Sequence, residues 1–297
     1  MNTMTLPQTR NRDRQAGSRS RCGVSVLIMT KNEEANISAC LASVAWSDDV
    51  VVLDSYSTDR TVEFARAAGA RVVQHAYETE NGQRMFGLTQ IPFVNAWVYT
   101  PDADEITPDD LRDEMLAIAA DPTRTEAFFK ARFKNMFMGR WIRHASLYPT
   151  WITRLVRPDR VRFEREVHSV CVAEGGAGEL DAHFVHYSFN NGMDAWYAKH
   201  NRYSTVEAQL AAEHPRGTVR LADLLSAKGD VRRRALKALS AGMPFRSTLR
   251  FLYMYVLRRG FLDGWPGYAY CKLIANYEFM IVLKTEELRR RANGQRI

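Results

Sequence analysis

Short apolar blocks and amphipathic stretches alternate through the first 120 or so positions. Residues 24–29 are β-branched and apolar, which predicts a buried strand. Thr30-Lys31-Asn32-Glu33-Glu34 interrupts the run, and Ile37, Leu41, Val44 and Ala45 then recur at helical spacing. Residues 50–53 form the next apolar block and end at Asp54. The polar loop Ser55-Tyr56-Ser57-Thr58-Asp59 follows, then a helical pattern carrying Val62, Ala65 and Ala68 that stops at Gly69. Residues 71–74 read as a third strand. This β-α-β-α-β order with short loops predicts an α/β fold with a parallel sheet and right-handed crossovers.

Beyond it the pattern gives a helix over 82–90 and a short buried strand over 96–99. Thr107-Pro108-Asp109-Asp110 opens a helix bearing Leu111, Met115 and Ile118, with acids at the positive end of its dipole. Alternation over 127–134 predicts a half-exposed strand. Residues 150–156 and 161–163 flank the turn Arg157-Pro158-Asp159-Arg160 and suggest a hairpin-like pair, and 182–187 suggest one more strand. From Met193 the signal is helical to the end. Residues 249–257 are apolar on every side except Arg250, and Arg232, Arg233, Arg234, Arg246, Arg258 and Arg259 flank them, with Arg289, Arg290 and Arg291 in the tail. Such a helix is either packed on the main domain or lies on an anionic membrane surface.

Composition changes the picture little. At 46% hydrophobic and 25% charged, 297 residues are ordinary globular material. The net charge of +7 asks for an anionic partner, whether nucleic acid, a membrane surface or a phosphorylated substrate. Cys22, Cys40, Cys171 and Cys271 are scattered without a C-x-x-C pair, which reads as reduced thiols of a cytoplasmic protein. Arginines in residues 1–22 precede no apolar core, so that segment reads as a disordered basic tail. No apolar run is long enough for a transmembrane helix.

The candidate chemistry centres on Asp102-Ala103-Asp104-Glu105, placed between the strand at 96–99 and the following helix. Open α/β sheets bind ligands at the carboxyl ends of their strands. Alternate residues of an extended segment point the same way, so Asp102 and Asp104 are expected to share one hard cation.

Four segments together carry a resemblance. The strand ending in Thr30-Lys31-Asn32-Glu33-Glu34, the stretch Asp54-Ser55-Tyr56-Ser57-Thr58-Asp59-Arg60-Thr61, Gln83-Arg84-Met85-Phe86-Gly87-Leu88, and Asp102-Ala103-Asp104-Glu105 resemble, in order and spacing, motifs of the family 2 glycosyltransferases. Met85 stands where that family usually has Asn. Gly139-Arg140-Trp141-Ile142-Arg143-His144, Arg154-Leu155-Val156-Arg157, Glu166-Val167-His168, His186-Tyr187-Ser188, Lys199-His200-Asn201-Arg202-Tyr203-Ser204 and Arg259-Gly260-Phe261-Leu262-Asp263-Gly264 extend it toward the subgroup similar to lipopolysaccharide core β-1,4-glucosyltransferases.

The resemblance implies a GT-A fold, a Rossmann-like, mostly parallel sheet with helices on both faces, over 23–190, with a helical C-terminal extension over 191–297. It implies an inverting transfer of a hexose, glucose by analogy, from a UDP-sugar to a hydroxyl of a cell-envelope glycan or glycolipid. Asp104 and Asp102 would hold Mg²⁺ or Mn²⁺ against the diphosphate. Thr30, Glu33, Asp54 and Arg84 would line the nucleotide site, with Glu33 serving only its helix N-terminus and Arg84 a surface helix arginine as the alternatives, and Asp59 either joining them or capping its helix. Because aromatics stack on sugar faces and arginine grips phosphate, Trp141, Arg143 and Arg154 are candidate acceptor contacts, Trp141 equally a core residue, and His186 reads as a satisfied structural histidine. The acceptor hydroxyl needs a base, and Glu166 is the choice, with Glu164 or His168 as alternatives. The subgroup's V-H-E pattern is Val167-His168-Ser169 here, which keeps a non-catalytic relative open.

Two other classes fit less well. A nucleic-acid-binding protein accounts for the charge, but the arginines sit mostly in the tail and late helices without a stacking motif, so no nucleic-acid partner is expected. A nucleotide-sugar pyrophosphorylase needs a glycine-rich first loop, and residues 30–34 hold no glycine.

Overall fold

The computed structural model describes residues 23–164, 170–213 and 245–297. Strands β1 (Val24–Thr30), β2 (Val50–Asp54), β3 (Arg71–Gln74) and β4 (Trp97–Tyr99) alternate with helices α1 (Ile37–Ser43), α2 (Thr61–Ala67) and α3 (Glu80–Gln90). A two-residue strand, β5 (Glu105–Ile106), precedes α4 (Asp109–Ala120). Then come β6 (Phe128–Phe137), β7 (Arg140–Trp141), β8 (Trp151–Val156), β9 (Val161–Glu164), β10 (Val170–Ala173) and β11 (Ala177–His186). The helical part holds α5 (Gly192–Glu213), α6 (Arg246–Leu252), a π-helical turn at Tyr253–Leu257, a 3₁₀ turn at Gly260–Asp263, and α7 (Gly264–Ala292).

The main sheet runs β3-β2-β1-β4-β8-β6-β11-β5, with β7 on β6. Strands β1 to β4, β6 and β11 point one way, and β8, β5 and β7 run against them. Strands β1, β2 and β4 are mostly apolar because both of their faces are covered. Val24, Val26 and Ile28 face a core built with Ile37, Cys40 and Leu41 of α1 and Leu111, Met115 and Ile118 of α4. Leu27, Val51 and Leu53 face the opposite layer, with Leu88 of α3 and Val161, Phe163 and Cys171 of the β9–β10 pair. A third cluster joins Phe137, Ile142 and Trp196 to Met254, Cys271 and Leu273.

The expected hairpin of 150–156 with 161–163 does not form. β8 is inserted between β4 and β6, antiparallel to both, and β9 pairs with β10 in a separate two-stranded sheet. The 3₁₀ turn Pro158–Arg160 separates β8 from β9, and Leu155 and Val156 are buried between β4 and β6. The helical part is fastened by polar contacts. Asp263 accepts hydrogen bonds from the backbone N–H groups of His144 and Ala145 at 2.8 and 2.7 Å. Lys284 of α7 donates to the Asn201 carbonyl, the Asn201 side chain, Ser204 and Thr205 of α5, all within 2.6–2.8 Å.

Candidate active site

The carboxyl ends of β1, β2 and β4 meet at one polar concavity. Thr30 closes β1, and its hydroxyl donates to Asp54 at 3.2 Å across the β1–β2 pairing. Asp54 is fully buried and also accepts from the Ser57 backbone (3.0 Å), the Ser57 hydroxyl (2.5 Å) and Gln74 (3.0 Å). Four donors fill its lone pairs, so Asp54 meets a nucleoside only by giving up one of them. Gln83 of α3 extends the network, donating to the Ser55 hydroxyl at 3.0 Å and meeting His75 at 2.8 Å. Asn32 and Tyr56, in the loops after β1 and β2, adopt positive φ, and the Tyr56 side chain is exposed at the mouth.

Asp102 forms a bridge with Met29 at the end of β1. Its carboxylate accepts from the Arg154 guanidinium at 2.6 Å, and the same nitrogen donates to Glu105 at 2.5 Å. Arg154 lies in β8, beside β4, and its side chain is almost wholly buried. It is therefore the interior counter-ion of two carboxylates and not the acceptor contact expected of it. Burial drives both carboxyls upward, and Arg154 opposes it unequally. Asp102 ends at about 2, helped by Arg84 and His186. Glu105, whose side chain is 1% exposed and which faces Asp102, ends at about 7.

Asp104 takes a different partner. Its backbone carbonyl accepts from the Tyr187 N–H, and its carboxylate lies 3.3 Å from His186 Nε2. The β5–β11 pairing sets this contact, with His186 opposite Glu105. His186 Nδ1 is buried without a partner, so the ring is not the satisfied structural histidine expected. Burial lowers its pKa, but Asp104, Glu105 and Asp102 together raise it above the ordinary histidine value.

No group of three or more metal-binding side chains occurs among the described residues. The donor set still fits a hard divalent cation. Asp104 and His186 Nε2 converge, Asp102 keeps a partly exposed carboxylate, and Mg²⁺ or Mn²⁺ bound by one or two protein ligands completes its shell with phosphate and water.

Glu33 reaches the site from the other side, accepting from Asn36 at 2.7 Å and Asn191 at 3.0 Å; burial, helped by nearby Asp104, outweighs these two bonds and leaves its pKa raised. Arg84 is buried on α3, 3.3 Å from Glu80 and over the Phe163 ring, with Nε unpartnered. Asp59 accepts from Thr61 N–H and hydroxyl and from Glu34 N–H, tying the start of α2 to the β1 loop. Lys199 of α5, which no motif had assigned a role, feels Tyr203, Asp104, Asp102 and Glu33; burial lowers its pKa and these groups more than restore it. The helical part thus lends a cation to an otherwise acidic concavity. Glu166 and His168 lie outside the described residues. Glu164 is exposed and pairs with Arg162 at 3.1 Å.

A signal for Arg154 was present, since a lone arginine inside an apolar strand requires a buried partner. No local signal marked β5 or the pairing of Asp104 with His186.

The chain is similar in sequence to several known glycosyltransferases. An uncharacterized glycosyltransferase of Rickettsia typhi is 25% identical over 283 residues, covering 89% of this chain and 87% of its own. The lipopolysaccharide core biosynthesis glycosyltransferase LpsC of Rhizobium meliloti is 27% identical over 197 residues, covering 64% and 72%. Among solved structures, glucosyl-3-phosphoglycerate synthase from Mycobacterium tuberculosis, crystallised with Mn²⁺ and UDP-glucose, is 26% identical, covers 37% of this chain and 43% of its own, and superposes with a TM-score of 0.32. The sequence profile described as Glycosyl transferase family 2 matches residues 25–183, more than half of the 297 residues, and with the GT-A sheet and its acidic site in view the chain belongs to that family.

Proposed function

We propose that the protein is a metal-dependent, inverting glycosyltransferase that moves a hexose, glucose by analogy with its resembled subgroup, from a UDP-sugar to a hydroxyl of a lipopolysaccharide-core or exopolysaccharide acceptor. The observation that carries this reading is the contact of Asp104 with His186 at the strand ends, with the partly exposed Asp102 carboxylate on Arg154 and the buried Asp54 network at the same ends of the sheet. Asp104 and His186, with Asp102 beside them, would hold Mg²⁺ or Mn²⁺. A cation bound there supplies Lewis-acid neutralisation of the diphosphate charge.

This chain's own groups do the rest. Arg154 fixes Asp102 in its ionised form, so the carboxylate needs no reorganisation when donor arrives. Lys199 and Arg84 face the acidic cluster and add positive charge for the departing nucleotide. Thr30 and Asp54, braced by Ser57 and Gln74, form the floor for the nucleoside. Transfer with inversion also needs a base opposite the leaving group. Glu166 is assigned that role from the sequence, with His168 as the alternative, and the exposed, locally paired Glu164 suits it less.

The helical part supports docking on the anionic inner face of the cytoplasmic membrane. Leu249, Leu252, Tyr253, Val256 and Leu257 recur at one helical stripe and are each 41–74% exposed. Between Phe245 and Leu262 the chain has no acid; Arg246 is paired with Glu278 of α7 at 2.6 Å, and Arg250, Arg258 and Arg259 have no carboxylate partner among the described residues. No described helix is long and apolar enough to cross a membrane, so such docking would be peripheral.

The test is release of free nucleotide from a panel of nucleotide sugars with Mn²⁺ or Mg²⁺. Turnover lost in Asp104→Ala and in excess chelator, with the melting temperature kept, is the expected result. Undiminished turnover in chelator would remove the metal from the mechanism.

A further inference from the structure

One face of the mixed half of the sheet carries cations and aromatic rings in place of an apolar layer. Along β6, Phe129, Ala131 and Phe133 enter the core shared with α1 and α4, so Lys130, Arg132 and Lys134 point to the opposite face. The register sets Arg132 beside Trp151 of β8 and His183 of β11, so the three share that face. The Arg132 guanidinium lies 5.0 Å from the Trp151 ring centre. Trp141 of β7 has Lys134 at 5.4 Å and Arg143 at 5.5 Å from its ring, and Tyr148 meets it edge-on at 5.3 Å. The Tyr148 hydroxyl is 2.5 Å from His183 Nε2.

Three further facts mark this face as a binding surface. Among the described residues no carboxylate pairs with Lys130, Arg132, Lys134 or Arg143; Asp181 offers Arg132 only its carbonyl oxygen. Arg132 Nε and Trp141 Nε1 are buried donors with no acceptor, a costly state that a ligand oxygen relieves. Finally, the face runs on toward the donor concavity. Strand β11 carries His183 on this face and ends three residues later at His186, whose Nε2 lies 3.3 Å from Asp104.

Ring faces stack on the C–H faces of sugars, whereas unpaired guanidinium and ammonium groups require an anion. We propose that this face is the acceptor subsite and that the acceptor sugar carries an anionic substituent, a phosphate or a carboxylate, held by Arg132, Lys134 and Arg143 around Trp141. The assignment rests on the glycosyltransferase reading, because continuity with the donor site is what favours a glycan over a nucleic acid.

The experiment uses the full chain and its own tryptophan fluorescence. UDP binding with Mn²⁺ is measured first; its failure would sink the donor reading, whatever the acceptor. The UDP-loaded protein is then titrated with glucose 6-phosphate, glucuronate and glucose. At least one charged sugar should bind about tenfold or more tighter than glucose, and the tighter of the two identifies the anion. Lys134→Ala/Arg143→Ala should erase that preference, and the charge-keeping Lys134→Arg/Arg143→Lys should retain it. If the double alanine variant melts early, the exposed Arg143→Gln alone should still reduce the preference. Equal binding of the three sugars, no binding of any, or an unchanged preference in a well-folded alanine variant would overturn the proposal. So would displacement of bound sugar by a short single-stranded oligonucleotide at lower concentration than either charged sugar.

Discussion

Replacing Arg154 with Met tests whether the acidic site is held together from beneath. The side chain is 1% exposed, and one guanidinium nitrogen serves both Asp102 at 2.6 Å and Glu105 at 2.5 Å. The substitution leaves the backbone bonds intact, since Thr100 N–H and hydroxyl bind the Arg154 carbonyl and not its side chain. Glu105, also 1% exposed, would retain only the Asp102 N–H at 3.1 Å while facing the Asp102 carboxylate. Removing one partner of a buried ion pair costs about 3–5 kcal/mol. Glu105 already sits at about 7 and would take up a proton, which caps the penalty. The lower end, about 3 kcal/mol, is therefore expected. At about 2–4 °C per kcal/mol for a chain of this class, that lowers the melting temperature by about 6–12 °C. Differential scanning calorimetry reads it directly. Arg154→Met/Glu105→Leu replaces the ion pair with apolar packing and should recover at least about 1.5 kcal/mol beyond additivity. A single variant that melts with the wild type, or a double variant that is simply additive, would refute the counter-ion argument.

Three further outcomes are expected. Leu252→Glu/Val256→Glu, on the exposed stripe of α6 and the turn after it, should lower co-sedimentation with vesicles rich in anionic lipid by about tenfold or more, and high salt should weaken wild-type binding. Lys284→Met removes an ammonium that lies within 2.6–2.8 Å of four oxygens of α5; faster amide exchange in both α5 and α7, with a loss of about 1–3 kcal/mol, is the expected signature, and unchanged protection would show that packing alone holds the pair. Burial is the largest single influence on Asp59 and raises its pKa, but the bonds from Thr61 and the Glu34 N–H together lower the folded value below the ordinary one. Its contribution is thus present above the unfolded pKa and lost as pH falls through the folded one, so Asp59→Asn should show a shallower loss of stability between about pH 5 and 2. An identical acid limb in wild type and variant would contradict that.

The chain's local order was legible in its residues. Both faces of the N-terminal strands are buried, so they must be apolar and β-branched, and the helices between them repeat every three or four positions for the same reason. Asp54, Asp102 and Asp104 could be placed at strand ends because polar loops end apolar blocks. The expected parallel order of the first strands and the helical signal after Met193 follow from such near-neighbour patterns, whereas the GT-A class came from the motif resemblance.

Partnership between distant segments was not legible. Strand β8 left its expected hairpin because its apolar surface is matched by β4 and β6, and a hydrophobic pattern states that a strand is buried without stating against what. Strand β5 is two residues long, too short for any period, yet its pairing with β11 brings His186 to Asp104 across 82 positions. The charge balance of the acidic motif was equally hidden, since Arg154 and Lys199 come from elements that only the folded sheet and α5 carry there. The sequence determined which residues are acidic, apolar or helical, because those are local properties. Which carboxylate keeps its charge, which takes a histidine and which sits near neutrality was decided by tertiary packing, because desolvation and Coulomb energy depend on distances that separation along a chain does not encode.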